Sequence, residues 1–335
     1  MSTAPSSPPG ADPSPAPAGQ PAPRPSAVSI WWHAARPNTL PAALSGVIVG
    51  LGAGYGVGAP FRPDTALGCV LVALLLQVVA NFANDLSDFR KGADTAARQG
   101  PVRVAAAGLV TERQLEAAIA ITIGAAGIVG LWLAYVGGPV LIAIGVLAVV
   151  AALAYTGGPW PYGYRGLGEV FVFLFFGVVA VVGTAYLQAG RLEPVFFAAS
   201  LPVGALTTAI LVVNNLRDIP TDTAARKRTL AVLLGRERTQ DEYALLLAVA
   251  YAVPVAMAVW LFLVGRTGTG HGLLALPVLL PLLTLPRARR LLAAVRGFHE
   301  PRELNVVLKG TARLAFWHSL LFAVGMVLAG TGTGQ

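Results

Sequence analysis

The chain has 335 residues, 55% of them hydrophobic and 12% charged, with a net charge of +8. A typical soluble domain carries about 25% charged residues, and here residues 67–83, 119–135, 140–154 and 170–187 hold no charge at all, which excludes a soluble globular fold. A single cysteine, Cys69, excludes a disulfide framework or a cysteine-based metal site within one chain.

Residues 1–28 are rich in Pro, Ala and Ser and have no bulky apolar core. They read as a disordered tail. They lack the basic segment followed by an apolar stretch of a cleaved signal peptide. From residue 29 onward the chain is one membrane domain. Roughly 20 apolar residues span a bilayer as a helix. The runs are too continuous for the alternating strands of a barrel, so the expected fold is all-α and polytopic. Nine spans are expected, at about 40–58, 66–86, 114–135, 138–156, 168–187, 194–216, 242–264, 273–290 and 306–330. With the N-terminus in the cytoplasm, 21 of the 24 lysines and arginines face inward; Arg62, Arg191 and Arg266 face outward. This positive-inside bias accounts for the basic charge without nucleic acid as a partner. It also puts the long loops, and any chemistry, on the cytoplasmic face.

Polar residues gather at the inner ends of the second and sixth spans. Gln77, Asn81, Asn84, Asp85 and Asp88 share one helical face, followed by Arg90, Lys91 and Asp94. Asn214, Asp218 and Asp222 are spaced alike, beside Asn215 and ahead of Arg226, Lys227 and Arg228. Pro220 is expected to end or kink that helix. Asn84-Asp85-Leu86-Ser87-Asp88 and Asn214-Asn215-Leu216-Arg217-Asp218 resemble each other, as two pseudo-equivalent halves would. Carboxylates near a membrane are costly and mark function. An oxygen-rich donor set suits Mg²⁺, which binds through one or two carboxylates, waters and substrate phosphates; Mn²⁺ accepts the same donors. The neighbouring lysines and arginines suit an anionic ligand.

On these residues the sequence resembles the UbiA superfamily of intramembrane aromatic prenyltransferases, whose members have nine transmembrane helices and two Asp-rich motifs. The first motif falls on Asn84, Asp85, Asp88 and Asp94, the second on Asp218 and Asp222. Ala35–Pro41, Lys91–Asp94, Gly100–Arg103, Pro161–Glu169 and Asn214–Asp218 are similar to the branch that prenylates 1,4-dihydroxy-2-naphthoate in menaquinone synthesis. The resemblance implies Mg²⁺ held by Asp85, Asp88, Asp94, Asp218 and Asp222, and a polyprenyl diphosphate as donor. It implies that the carboxylated ring carbon is alkylated with loss of carbon dioxide, in the cell membrane. Lys227 and Arg103, then Lys91, are the expected phosphate contacts. Asn81, Asn84, Asn214 and Asn215 complete the substrate site, and Tyr155, Tyr162 and Tyr164 are expected to shield an allylic cation. The chain departs from the superfamily pattern in two places. Gly92 stands where the third acid of the first motif often is, and Pro159 replaces the Lys of a Tyr-x-x-x-Lys pattern begun by Tyr155, leaving Arg165 as a substitute. Acceptors such as 4-hydroxybenzoate, homogentisate or a phosphorylated sugar, or an ion-coupled transporter, are the competing readings. The four histidines lack ligand spacing. Glu169 reads as an N-terminal helix charge, and Asn305, Lys309 and Arg313 as residues facing the acids or the interface.

Overall fold

The computed structural model describes residues 25–92, 103–268 and 272–330. The tail up to residue 24 lies outside them. Ser26 caps the first helix, its Oγ accepting from Ser29 N at 3.3 Å, so α1 (Ala27–Ala35) takes in two residues that composition assigns to the tail. Then follow α2 (Leu40–Gly56), α3 (Pro63–Arg90), α4 (Glu112–Gly137) and α5 (Val140–Ala154). After these come α6 (Gly168–Ala189), with a π-helical stretch at Phe173–Val179, and α7 (Pro194–Ala224). α8 (Leu230–Gly268) has a break at Gly235. A 3-10 segment (Gly272–Thr284) leads into α9 (Leu285–Gly297), and α10 (Leu304–Gly330) closes the bundle.

The described residues contain no strand, and seven helical segments are long and apolar enough to cross a bilayer. Each of the nine expected spans meets a helical segment, but two differ from the seven. α5 has 15 residues, and the eighth run is divided between the 3-10 segment and α9. Pro277 and Pro281 lie in that 3-10 segment, where their missing N–H groups break the α-helical ladder. Large apolar side chains such as Ile121, Ile128, Leu131 and Val146 point outward, as lipid-facing residues do. α1 packs back on the bundle, with Trp31 edge-on to Phe82 at 5.6 Å.

α2 is the packing axis. Lipid supplies no hydrophobic drive for helices to associate, so close contact relies on small residues. Gly46, Gly50 and Gly54 form one stripe against Ala180, Thr184 and Gln188 of α6, while Gly52 and Gly56 face Ala323 and Met326 of α10. A Cβ at Gly50 would lie 2.6 Å from both Thr184 Cβ and Val181 O. Gly50→Ala is therefore expected to destabilise the bundle by about 1–3 kcal/mol, as overpacking does; thermal unfolding in detergent measures it.

α7 continues as helix through Pro220 to Ala224 rather than ending there. Only Thr221–Ala224 follow it, so the missing Pro220 N–H costs the helix its bond to Leu216 O near the end, without preventing the last turn from forming. Asp222 therefore stays in phase with Asp218.

Candidate active site at the ends of α3 and α7

The end of α7 folds the chain back over its own acids. Arg226 adopts a left-handed conformation (φ 55°), Lys227 N donates to Asp222 O at 2.8 Å, and Arg226 N to Thr223 O at 3.1 Å. This is a Schellman-type closure. Built on arginine rather than glycine, it costs roughly 1–2 kcal/mol. Its result is that Lys227 Nζ lies 3.4 Å from Asp88 Oδ1 and 3.9 Å from Asp222 Oδ1. Acids 134 positions apart in the sequence thus share one ammonium group.

Asp88 is the hub. Arg103 donates to its Oδ2 at 2.6 Å and Tyr164 Oη to its Oδ1 at 2.5 Å. Tyr164 is placed by a 3-10 turn, Tyr162–Arg165. Gly163 N donates to Tyr155 O at 2.9 Å, and a Cβ on Gly163 would lie 2.7 Å from that oxygen, so only glycine fits. Gly166 (φ 73°) ends the turn, and Arg228 N donates to Tyr164 O at 3.1 Å, which ties the turn to the loop after α7. The ammonium groups of Lys91 and Lys227 each sit 4.6 Å from the centre of the Tyr164 ring. Lys91 also donates to Thr156 O. Burial holds the Lys91 ammonium below the usual lysine range; Asp88 opposes that shift and Lys227 adds to it.

The remaining first-cluster residues have separate partners. Asp85 is buried and its Oδ2 accepts from Val104 N at 3.1 Å. Asn84 Oδ1 accepts from Thr156 Oγ1 at 2.9 Å. Asn81 donates to Ala35 O and Thr39 Oγ1 at 2.8 and 3.0 Å, closing the corner between α1 and α2. Asp94 lies outside the described residues. In the second cluster, Arg217 binds Asp218 through two bonds of 2.7 Å, and reaches Asn214 at 2.8 Å and Asn305 at 2.9 Å. Asn215 Nδ2 donates to Glu169 Oε1 at 2.8 Å.

The tyrosines divide their work. Tyr162 Oη donates to Ala151 O at 2.9 Å and its ring stacks on Phe171 at 4.1 Å, so it is packed into the core. Tyr155 lies edge-on to Tyr162 at 5.4 Å and within electrostatic reach of Glu169, Asp222 and Asp88. Arg165 lies over Trp160, 5.2 Å from its ring centre. Lys91 reaches Thr156 O, three residues before Pro159, while Arg165 rests on Trp160, the residue after it. Lys309 and Arg313 are exposed, while Asn305 meets Arg217. Cys69 is buried. His318 is buried against Ala250 O at 3.1 Å and His33 bonds Ser29 O, while His271 lies outside the described residues. Sequence reasoning missed Thr156, which serves both Asn84 and Lys91, and the clamping role of Arg217. The Arg217-Asp218 adjacency was a visible signal for the clamp; nothing in the sequence marks the left-handed Arg226.

Among the described residues no three His, Cys, Asp or Glu side chains cluster as a metal site would. What converges is a pair of carboxylates with Lys227 between them and Arg103 on Asp88, an arrangement suited to a cation that arrives with phosphate oxygens rather than to one held by protein alone.

A sequence profile described as the UbiA prenyltransferase family matches residues 43–299. The 1,4-dihydroxy-2-naphthoate octaprenyltransferase of Mycobacterium tuberculosis is 42% identical over 282 residues, 84% of this chain and 91% of that protein. The protein of the same name from Escherichia coli is 35% identical over 311 residues, 91% of this chain and 97% of that one. Among solved structures, a UbiA homolog from Archaeoglobus fulgidus bound to GPP and Mg²⁺ matches with a TM-score of 0.62 at 16% identity, covering 90% of this chain and 99% of that one.

Proposed function

The chain belongs to the UbiA prenyltransferase family, and from that premise we propose that it transfers a polyprenyl group from a polyprenyl diphosphate to 1,4-dihydroxy-2-naphthoate, with loss of carbon dioxide, giving demethylmenaquinone. The observation that carries this reading is Lys227 joining Asp88 of α3 to Asp222 of α7. The names of the two relatives support the naphthoate acceptor. The homolog bound to GPP and Mg²⁺ supports a prenyl diphosphate with a divalent ion.

In this reading Asp85, Asp88, Asp218 and Asp222, with Asp94 beyond the described residues, hold Mg²⁺ together with diphosphate oxygens. Bound Mg²⁺ supplies Lewis-acid stabilisation of charge on the leaving diphosphate. Lys227 and Arg103 turn from Asp88 to the diphosphate, so each carboxylate–cation contact is exchanged for one with the substrate. Lys91, held at Thr156 O, completes the cationic rim, with Asn84 beside it. Tyr164 keeps Asp88 oriented, and Tyr155 offers its ring face to the allylic cation. Asn81, Asn214, Asn215 and Tyr162 shape the site through the contacts described above. The positive-inside bias supports a cytoplasmic position for this end of the bundle in the cell membrane.

Purified protein with Mg²⁺, a polyprenyl diphosphate and 1,4-dihydroxy-2-naphthoate is expected to yield a product whose mass equals prenylated, decarboxylated naphthoquinol or its quinone. Chelation by EDTA should abolish turnover and added Mg²⁺ restore it. Turnover only with 4-hydroxybenzoate or homogentisate, or turnover indifferent to EDTA, contradicts the proposal.

A further inference from the structure

Glu169, in the first turn of α6, borders the acid site, yet diphosphate chemistry leaves it without a task. The residue is 5% exposed. Its Oε1 accepts from Asn215 Nδ2 at 2.8 Å, while its Oε2 is buried with no hydrogen-bond partner among the described residues. Leaving a buried acceptor unsatisfied is costly, more so when it is charged. A group kept at that cost fits a ligand that brings a donor. Its surroundings indicate which ligand. A Cβ on Gly168 would lie 3.5 Å from Tyr155 Oη, which places that tyrosine beside the first turn of α6. Tyr155 is also within electrostatic reach of Glu169, Asp222 and Asp88, so this ring lies in the neighbourhood of both Glu169 and the acids. Glu242 of α8 is within electrostatic reach of Glu169, and its Oε2 too is buried with no hydrogen-bond partner among the described residues.

We infer that Glu169 is the general base for the acceptor, an aromatic hydroxy acid, taking the proton of the hydroxyl next to the carboxyl-bearing ring carbon. This rests on the prenyl-transfer reading above. The O–H bond breaks and its proton passes to Glu169 Oε2. The oxygen's electron pair enters the ring, and the carboxyl-bearing carbon bonds to C1 of the prenyl chain. The C1–O bond breaks, its pair leaving on the diphosphate. The ring is now a ketone with a carboxylate on the adjacent carbon. That carboxylate leaves as carbon dioxide, its bonding pair restores the aromatic ring as an oxyanion, and Glu169 returns the proton to that oxygen. No proton is consumed or released overall, and no oxidant is needed. The product is the quinol.

The full chain in nanodiscs, with Mg²⁺, a polyprenyl diphosphate and 1,4-dihydroxy-2-naphthoate, provides the test. Glu169→Gln is expected to lower kcat by roughly 10²–10⁴-fold, the usual worth of a general base, with KM for the diphosphate substrate little changed. Glu169→Ala should regain turnover as formate is added, and Glu169→Gln should not, because the amide fills the space. Near wild-type kcat in Glu169→Gln overturns the inference, as does a folded Glu169→Ala chain that formate does not rescue. Glu169→Gln is nearly isosteric and still accepts from Asn215, so it decides the matter even where the alanine variant fails to fold. A wild-type chain inactive with the naphthoate defeats the prenyl-transfer reading itself, whereas an active wild type with an indifferent Glu169 defeats this inference alone.

Discussion

Asp88→Asn is expected to lower turnover by roughly 10²–10³-fold, the loss typical when a preorganised electrostatic contact is removed from an active site. Asp88 is 2% exposed and bonds Arg103, Tyr164 and Lys227 at once. Asparagine preserves the shape and can still accept from Tyr164. It removes the charge that offsets the buried Arg103 and the partly buried Lys227, and breaking a buried pair costs about 3–5 kcal/mol. Arg103 then loses its Asp88 counter-charge, and Lys227 keeps only the longer contact with Asp222 at 3.9 Å. Inorganic pyrophosphate without divalent ion should bind the variant more tightly than it binds the wild type, while Mg²⁺-dependent turnover falls. Calorimetric titration in EDTA beside steady-state rates separates these effects. A residue that only braced the fold would weaken both; equal losses in the two measurements would contradict the assignment.

Arg217→Ala should have the largest effect on stability, about 3–5 kcal/mol, the cost of removing one partner from a buried pair. Arg217 is 1% exposed and makes four bonds, two to Asp218 and one each to Asn214 and Asn305. The bond to Asn305 joins α7 to α10, so the loss should loosen the packing of those two helices. Lysine cannot reproduce the planar fork, and Arg217→Lys should recover only part of the stability. In a double-mutant cycle Arg217→Ala with Asp218→Ala should destabilise less than the sum of the single changes, because the second change removes the charge that the first strands. Thermal unfolding in detergent reads all three. Strict additivity would mean that Arg217 acts through packing alone.

Charge and apolar run length were enough to identify a helical membrane protein. In a bilayer backbone groups must be satisfied within the segment, so hydropathy reports directly on helices. The acids Asp85, Asp88, Asp218 and Asp222 were legible as a site because carboxylates at helix ends in an apolar chain are expensive. The resemblance carried by Asn84–Asp88 and Asn214–Asp218 supplied the chemistry. Asn81 was legible as polar and buried, but its partners were not; its amide satisfies Ala35 O, a carbonyl exposed by a corner that hydropathy does not register.

What the sequence determined by itself was the helical membrane class, the approximate position of each run and the family, since each depends on local composition or short motifs. Only the tertiary structure decided which acids meet. Asp88 and Asp222 come together because α7 continues through Pro220 and Arg226 turns left-handed, which carries Lys227 between them, whereas Asp218 is claimed by its neighbour Arg217. Those outcomes follow from long-range packing of α3 against the loop after α7, a balance of contacts that no local window of residues contains.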